Sequence, residues 1–256
     1  MDVDIRLREK KPPLDDRPLL RRIGLLILAT DHTSEPDYAR MVASDRIGVY
    51  VARLSYANPT TPENLRAMQP ALGRAAELIL PGEALDAICY SCTSASVVIG
   101  DEAVETAILA GKPGVAVVTP PMAAVMALQA LGASRISILT PYMVETGRPM
   151  ADYFAARGFA IESFTCLGFD DDREMARISP DALVKLAREA IAPQADALFV
   201  SCTALRAALV AARIEDAIGR PVVTSNQATA WQCLRLCGDE TPRPQFGRLM
   251  SLAPVR

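Results

Sequence analysis

Two cysteines stand in matching settings about half a chain apart. Leu85-Asp86-Ala87-Ile88-Cys89-Tyr90-Ser91-Cys92-Thr93-Ser94 comes early, and Ala195-Asp196-Ala197-Leu198-Phe199-Val200-Ser201-Cys202-Thr203-Ala204 comes late. Each reads Asp-Ala, a short apolar run, then Ser-Cys-Thr, with the acid six positions before the cysteine. The apolar run has the length of a buried strand. An Ala-rich helical pattern follows each Ser-Cys-Thr. A cysteine at a helix N-terminus meets free N–H groups and the positive end of the dipole, which favour thiolate. The repeat therefore predicts a paired thiol site at Cys92 and Cys202.

The other candidates are weaker. Cys89 and Cys92 form a C-x-x-C, the spacing of redox or metal chemistry. Cys89 lies inside the apolar run, however, and neither a second C-x-x-C nor a His cluster completes a zinc site. Cys166, Cys233 and Cys237 read as core. His32, the only histidine, lies in a polar loop at a strand end and fits a solvated or a site role equally. Asp86 and Asp196 read as turn or cap residues, and Asp170-Asp171-Asp172 most simply as a solvated charge run. Tyr142 suits core packing or substrate contact. There is no Walker sequence and no G-x-G-x-x-G.

Strands and helices must position these residues. Ile23 to Ala29 is a near-continuous apolar run, and Thr30 to Pro36 a polar loop after it. Ile47 to Leu54 is a second strand. A Thr cap and Pro62 open a helix to about Leu80. The first cysteine strand, a helix from about Ser94 to Ala110, a strand over 114–118 and a helix over 120–131 follow. A second copy opens at Arg135–Leu139, with Thr140-Pro141-Tyr142 as its loop. It continues through a helix to Arg157, a strand over 159–166, an acidic loop over 168–173 and a helix from Ser179. The second cysteine strand, its helix, a strand over 222–224 and a last helix to Cys237 complete it. Alternation of this kind predicts an α/β fold of two similar lobes. Each is a parallel sheet flanked by helices, and a pseudo-two-fold axis relates them, with the site in the cleft between. The expected divisions are an N-terminal arm over 1–22, lobes over 23–132 and 133–238 (the last helix free to pack on the first lobe) and a loosely held tail over 239–256. Ligands of such sheets sit beyond the carboxyl ends of the strands. That selects Thr30, Asp31, His32 and Thr33, then Ser91 to Ser94, then Thr140 to Tyr142, then Ser201 to Ala204.

Half of the 256 residues are apolar and the net charge is −3. The charge argues against a nucleic-acid or anionic-membrane partner. No apolar run reaches membrane-spanning length, and the charged N-terminus has no signal-peptide core. The expected compartment is the cytoplasm, where six cysteines stay reduced.

These residues resemble the Asp/Glu racemase superfamily, and within it the maleate isomerase and arylmalonate decarboxylase branch. The likeness rests on Tyr-Ser-Cys-Thr-Ser over 90–94, Leu-Thr-Pro-Tyr over 139–142, Gly-x-x-Asp-x-x-Glu-x-Ala-Arg over 168–177 and Ser-Cys-Thr over 201–203, and it spans about Ile23 to Gly238. The first loop, over 29–38, is most similar to the ectoine-utilisation EutA proteins of that branch. The resemblance implies cofactor-free, metal-free chemistry at a carbon beside a carboxylate or at an activated double bond. Cys92 and Cys202 take the catalytic places. Thr93, Ser94 and Tyr142, with backbone N–H groups near Thr203 and Ala204, take the carboxylate-binding places. Maleate isomerases carry asparagine where this chain has Asp31 and Asp172, which points away from maleate. Arylmalonate decarboxylases have Gly at the first cysteine position, so the intact pair argues against a dedicated decarboxylase.

The expected function is thus a two-thiol racemase or isomerase of a small, zwitterionic carboxylate, in ectoine or hydroxyectoine breakdown, acting as a homo-oligomer (dimer or tetramer). Double-bond isomerisation and decarboxylation are the alternatives within enzymes. A non-catalytic carboxylate sensor is the alternative outside them.

Overall fold

The computed structural model describes residues 3–252. Its strands are β1 (Arg21–Leu28), β2 (Ile47–Leu54), β3 (Ala87–Tyr90), β4 (Ala116–Val118), β5 (Arg135–Tyr142), β6 (Ala160–Phe169), β7 (Ala197–Val200) and β8 (Val222–Thr224). Helices α1 (Ser34–Met41), α2 (Pro62–Arg66), α3 (Leu72–Leu78), α4 (Thr93–Ile99), α5 (Asp101–Gly111) and α6 (Pro120–Ala130) accompany the first four strands. Helices α7 (Val144–Ala155), α8 (Asp172–Met175), α9 (Pro180–Ala190), α10 (Ala211–Ile218) and α11 (Ser225–Leu236) accompany the rest.

β3 and β7 are buried along their whole length, and β1 after its first residue. This is what parallel strands covered on both faces require. Two four-stranded parallel sheets result, ordered β2-β1-β3-β4 and β6-β5-β7-β8. The expected fold class holds, and the identical order is the structural form of the sequence repeat. In each sheet the chain leaves its first strand to one side and returns on the other. The crevice at that reversal, beyond the carboxyl ends of β1 and β3 and of β5 and β7, is where loops gather. Asp31 follows β1, Cys92 follows β3, Tyr142 ends β5 and Cys202 follows β7.

One buried cluster joins Ile23, Leu25 and Ile27 of β1 to Ile136, Ile138 and Phe199 of the second sheet by way of α1, α6 and α11. A second cluster covers the other face of the first sheet with Leu65, Leu72, Ala76 and Ile108. α11 contacts α1, β3 and β4 as well as α6 and β8, so the last helix packs on the first sheet. No helix among the described residues is long and apolar enough to cross a membrane.

Several expected boundaries move. The helix expected to run to about Leu80 is broken into α2, a 3-10 turn and α3 at Gln69-Pro70, since proline has no N–H to continue the ladder. The helix expected from Ser94 divides at Gly100, whose φ is 95°. The polar loop after β1 is shorter than expected, because Asp31 accepts from the Thr33 and Ser34 N–H groups and starts α1 at Ser34. Thr140-Pro141-Tyr142 is the end of β5 rather than a loop, and the acidic stretch is the end of β6 followed by α8. The tail over 239–252 is docked rather than loose: Leu249 and Met250 are buried and Arg235 Nη2 donates to the Leu252 carbonyl at 2.8 Å. Residues 1–2 and 253–256, parts of the expected arm and tail, lie outside the described residues.

α3 and α5 meet at glycines. A Cβ on Gly111 would lie 1.9 Å from the Gly73 carbonyl oxygen, a backbone atom that cannot swing aside. Gly111→Ala is therefore expected to destabilise the protein by roughly 1–3 kcal/mol, as overpacking does. A lowered thermal midpoint in circular dichroism checks it.

Candidate active site

Cys92 is the N-cap residue of α4, with extended backbone (φ −147°, ψ 107°). The expected helix after the second Ser-Cys-Thr begins late: turns and a 3-10 segment over Ala208–Val210 precede α10, which starts at Ala211 and ends at Ile218, capped by Gly219. Cys202 instead has φ 114°, a conformation rarely taken by residues other than glycine. The two cysteines thus match in strand and position but not in the conformation of the chain after them. Both cysteines line one cavity, together with Leu28, Asp31, Tyr56, Thr60, Leu65, Ser94, Tyr142, Asp172, Met175, Thr203 and Ala204. The free space between these side chains is about 20 Å³. That holds a single water, so a carboxylate ligand can enter only as these side chains part.

Burial reverses the expected electrostatics. It pushes the Cys92 thiol up to about 11, against the Ala95 N–H and the Ser94 hydroxyl, which favour thiolate. It pushes the Cys202 thiol up to about 12, against the Tyr142 hydroxyl and the Ala204 and Leu205 N–H groups. Desolvation outweighs both the helix end and the loop donors, so each thiol keeps its proton at neutral pH. Cys89 faces elsewhere. It belongs to the core cluster with Tyr38 and Cys233, not to the cavity. Among the described residues no group of three or more His, Cys, Asp or Glu side chains is arranged to hold a metal ion.

Two carboxylates share the cavity with the thiols. Asp31 Oδ1 accepts from the N–H groups of Thr33 (2.8 Å) and Ser34 (2.7 Å), and Oδ2 from the Ser34 hydroxyl (2.7 Å). Its pKa is nonetheless raised by burial. Asp172 is 6% exposed, so it is no solvated charge. It accepts from Asn58 Nδ2 at 2.8 Å and from the Thr30 hydroxyl, and its N–H donates to Asn58 Oδ1 at 3.3 Å. No lysine, arginine or histidine lines this cavity among the described residues.

The remaining candidates build the wall rather than face the cavity. Ser91 is fully buried, shares a hydrogen bond with Ser34 (2.9 Å) and accepts from the Thr203 hydroxyl on its carbonyl (3.1 Å). Thr93 donates to Ser225 Oγ at 2.8 Å. Thr30 holds Asp172. His32 is exposed and borders a separate surface depression with Arg173, Arg177 and Arg206. The structure therefore gathers Asp31, Cys92, Ser94, Tyr142, Asp172, Cys202, Thr203 and Ala204, and leaves Thr30, His32, Ser91 and Thr93 outside the cavity.

Sequence reasoning missed Tyr56, Asn58 and Thr60. They follow β2, whose carboxyl end lies on the same side as those of its neighbours, and that position was the available signal. The Tyr56 hydroxyl donates to Thr60 Oγ1 at 2.7 Å. The Thr60 N–H donates to the Asp170 carbonyl at 2.7 Å, and the Thr60 carbonyl accepts from the Thr146 hydroxyl at 2.8 Å. This loop is tied across the cleft to the second sheet's elements.

Comparison with known proteins agrees with this geometry. A maleate isomerase from Alcaligenes faecalis is 25% identical over 90% of this chain and 96% of its own length. An arylmalonate decarboxylase from Bordetella bronchiseptica is 32% identical over 48% of this chain and 52% of its own length. The structure of a cysteine-to-serine variant of Nocardia farcinica maleate cis-trans isomerase, holding a covalently bound succinylcysteine intermediate, superposes with a TM-score of 0.81 at 26% identity. It covers 90% of this chain and 98% of that one. The family model of arylmalonate decarboxylase matches residues 71–250, which contain both cysteines. With that much of the chain matched, the protein belongs to the arylmalonate decarboxylase family.

Proposed function

We propose that this protein is a cofactor-independent isomerase of a small carboxylate, working through Cys92 and Cys202. The observation that carries the reading is the meeting of both repeated cysteines on one cavity. Each half of the chain, over 23–132 and 133–238, supplies one wall. The protein acts in the cytoplasm, where its free cysteines stay reduced, as a dimer or tetramer.

The full-length maleate isomerase matches favour double-bond isomerisation. Cys92 is the nucleophile, because it is the N-cap residue of α4 and its sulfur faces the Ala95 N–H. Its sulfur bonds to one alkene carbon as Cys202 gives a proton to the neighbouring carbon and receives the proton of Cys92. The carbon–carbon bond, now single, rotates. The steps then reverse: Cys202 takes a proton back from carbon, the carbon–sulfur bond breaks, and Cys92 regains its proton. Ser94, Tyr142 and the N–H groups after Cys202 are the donors that stabilise charge developing on the substrate carboxylate. Racemisation is the second reading, favoured by thiols supplied from both lobes: one takes the α-proton and the other returns one to the opposite face.

The cavity's charge selects the substrate class. Asp31 and Asp172 face it, and among the described residues no cationic side chain lines it; Arg53, which donates to the Asp31 carbonyl at 3.0 Å, lies outside the lining. At roughly 4 Å a like-charge contact costs about 1 kcal/mol in water and about 4 kcal/mol at a protein surface. A second substrate carboxylate is disfavoured, and a cationic group is favoured. An amidinium, as in ectoine, can give parallel hydrogen bonds to a carboxylate. The substrate is a zwitterion of this type, and the pathway is ectoine or hydroxyectoine breakdown.

Cys92→Ala and Cys202→Ala are each expected to lose nearly all turnover, while Cys166→Ala and Cys233→Ala keep most of it. Full activity in either of the first two ends the two-thiol mechanism. In calorimetric titration Asp31→Asn is expected to weaken ectoine-type ligands by about tenfold or more and to improve tolerance of dicarboxylates. An unchanged ligand preference, or efficient turnover of maleate by the wild type, refutes the charge argument.

A further inference from the structure

Behind the Cys202 wall lies a buried carboxylate that the mechanism does not use. Asp37, on α1, is 2% exposed. Asn226, near the start of α11, donates from Nδ2 to Asp37 Oδ2 at 2.9 Å. The same nitrogen donates to the Thr203 carbonyl, also at 2.9 Å. Asn226 Oδ1 is buried and has no partner. The amide is therefore oriented by two acceptors on its nitrogen side and by nothing on its oxygen side. Turning it over would set its oxygen against a carbonyl and a carboxylate.

This amide is one of three side-chain clamps on the backbone of the segment 202–204. Ser225 Oγ accepts from the Cys202 N–H at 3.0 Å, and the Thr33 hydroxyl donates to the Ala204 carbonyl at 2.8 Å. The clamps hold Cys202 at its positive φ and draw the Thr203 and Ala204 carbonyls into the wall. The Ala204 N–H is left to serve the Cys202 thiol, and the Leu205 N–H is shared between that thiol and the Cys202 carbonyl at 3.3 Å. The Asn226 clamp is backed by Asp37 at the bonding amide itself, whereas Asp31 holds the backbone N–H of Thr33 and not the hydroxyl that clamps Ala204.

We propose that Asp37 is a positioning residue for Cys202: its ionised carboxylate fixes the Asn226 amide, which fixes the loop that gives Cys202 its N–H donors. The proposal rests on Cys202 being a reacting thiol. Burial, then the charge of Asp31, pushes Asp37 up to about 7, against the Asn226 hydrogen bond and Arg40. The charged groups that bear on it are thus Asp31 and Arg40, while α11 and the Cys202 loop face it with a neutral amide. The clamp tightens as Asp37 ionises, because a hydrogen bond to a charged acceptor is roughly twice as strong as one to a neutral acceptor.

The test reads the thiol directly, so it stands apart from any assay of turnover. Full-length protein is alkylated with iodoacetamide at a series of pH values, and the Cys202 and Cys92 peptides are quantified by mass spectrometry. Far below its pKa a thiol's alkylation rate rises about tenfold per pH unit. If Asp37 positions the loop, Cys202 rises more steeply than this near pH 7. A bare field effect of ionised Asp37 would do the opposite, since added negative charge raises a thiol's pKa. Asp37→Asn is expected to remove the extra steepness and to slow Cys202 by about fivefold at about pH 8, with Cys92 unchanged as the internal reference. Asn226→Ala, which removes the intervening amide, is expected to slow Cys202 likewise. A Cys202 profile no steeper than the simple thiol rise, or one that Asp37→Asn leaves intact, overturns the proposal.

Melting curves separate positioning from folding. Folded Asp37 keeps its proton up to about 7, whereas an unfolded carboxylate releases it near 3.8. Between these values the native state binds the extra proton, so wild-type stability falls as pH rises, and asparagine carries no such loss. Asp37→Asn is expected to melt above wild type at about pH 8 and level with it near about pH 4. A slower Cys202 in a more stable protein is a result that general loosening of the fold cannot give, and an Asp37→Asn protein that melts lower at about pH 8 contradicts the proposal.

Discussion

The two Ser-Cys-Thr segments are hydrogen-bonded to each other across the seam between the sheets, and the site depends on that seam. The Thr203 hydroxyl donates to the Ser91 carbonyl, while Ser225 Oγ accepts from both the Thr93 hydroxyl and the Cys202 N–H. A single serine on α11 thus touches both loops. Neither half could present its cysteine in this way alone. The sheets share one strand order, and side chains from the other half help hold the loops that β3 and β7 carry: Thr203 for the first and Thr33 for the second. Farther out, Arg157 just after α7 and Tyr153 of α7 hold Asp101 of α5 at 2.7 and 2.8 Å, and Thr146 holds the loop after β2.

The same closeness sets the electrostatics. A cavity with two thiols, two carboxylates and almost no water penalises every charge within it. Both thiols stay protonated, which leaves one able to act as an acid while the other adds to carbon. Three donors on Asp31 and two on Asp172 offset part of the cost of burying these side chains. Asp31 Oδ2 and both Asp172 oxygens have room for a further donor, and a cationic ligand group would supply one.

Much of this was legible in the residues. Asp86 and Asp196 read as turn residues, and each carboxylate caps the start of the neighbouring strand: Asp86 accepts from the Arg22 N–H and Asp196 from the Arg135 N–H, both at 2.8 Å. Periodicity and the repeat located the cysteine strands, because a short apolar run bounded by turns has few other uses in an alternating chain. What was not legible is what depends on distant partners. The late start of the helix after Cys202 goes with clamps supplied by Thr33, Ser225 and Asn226, which no local pattern around 202 announces. Asp172 sits in a run of three acids, and only Thr30 and Asn58, more than a hundred residues away, turn it inward. The thiol pKa values were misjudged for the same reason: a helix end is visible in sequence, whereas desolvation is a property of the assembled cavity.

The central claim is that Cys92 adds to the substrate while Cys202 supplies and recovers the proton. The direct measurement is intact-protein and peptide mass spectrometry of Cys202→Ser incubated with small unsaturated or amidinium carboxylates that the wild type converts. The account predicts one covalent adduct of the ligand's mass, on the Cys92 peptide. An adduct on a different cysteine, or no adduct with a ligand the wild type isomerises, would contradict it.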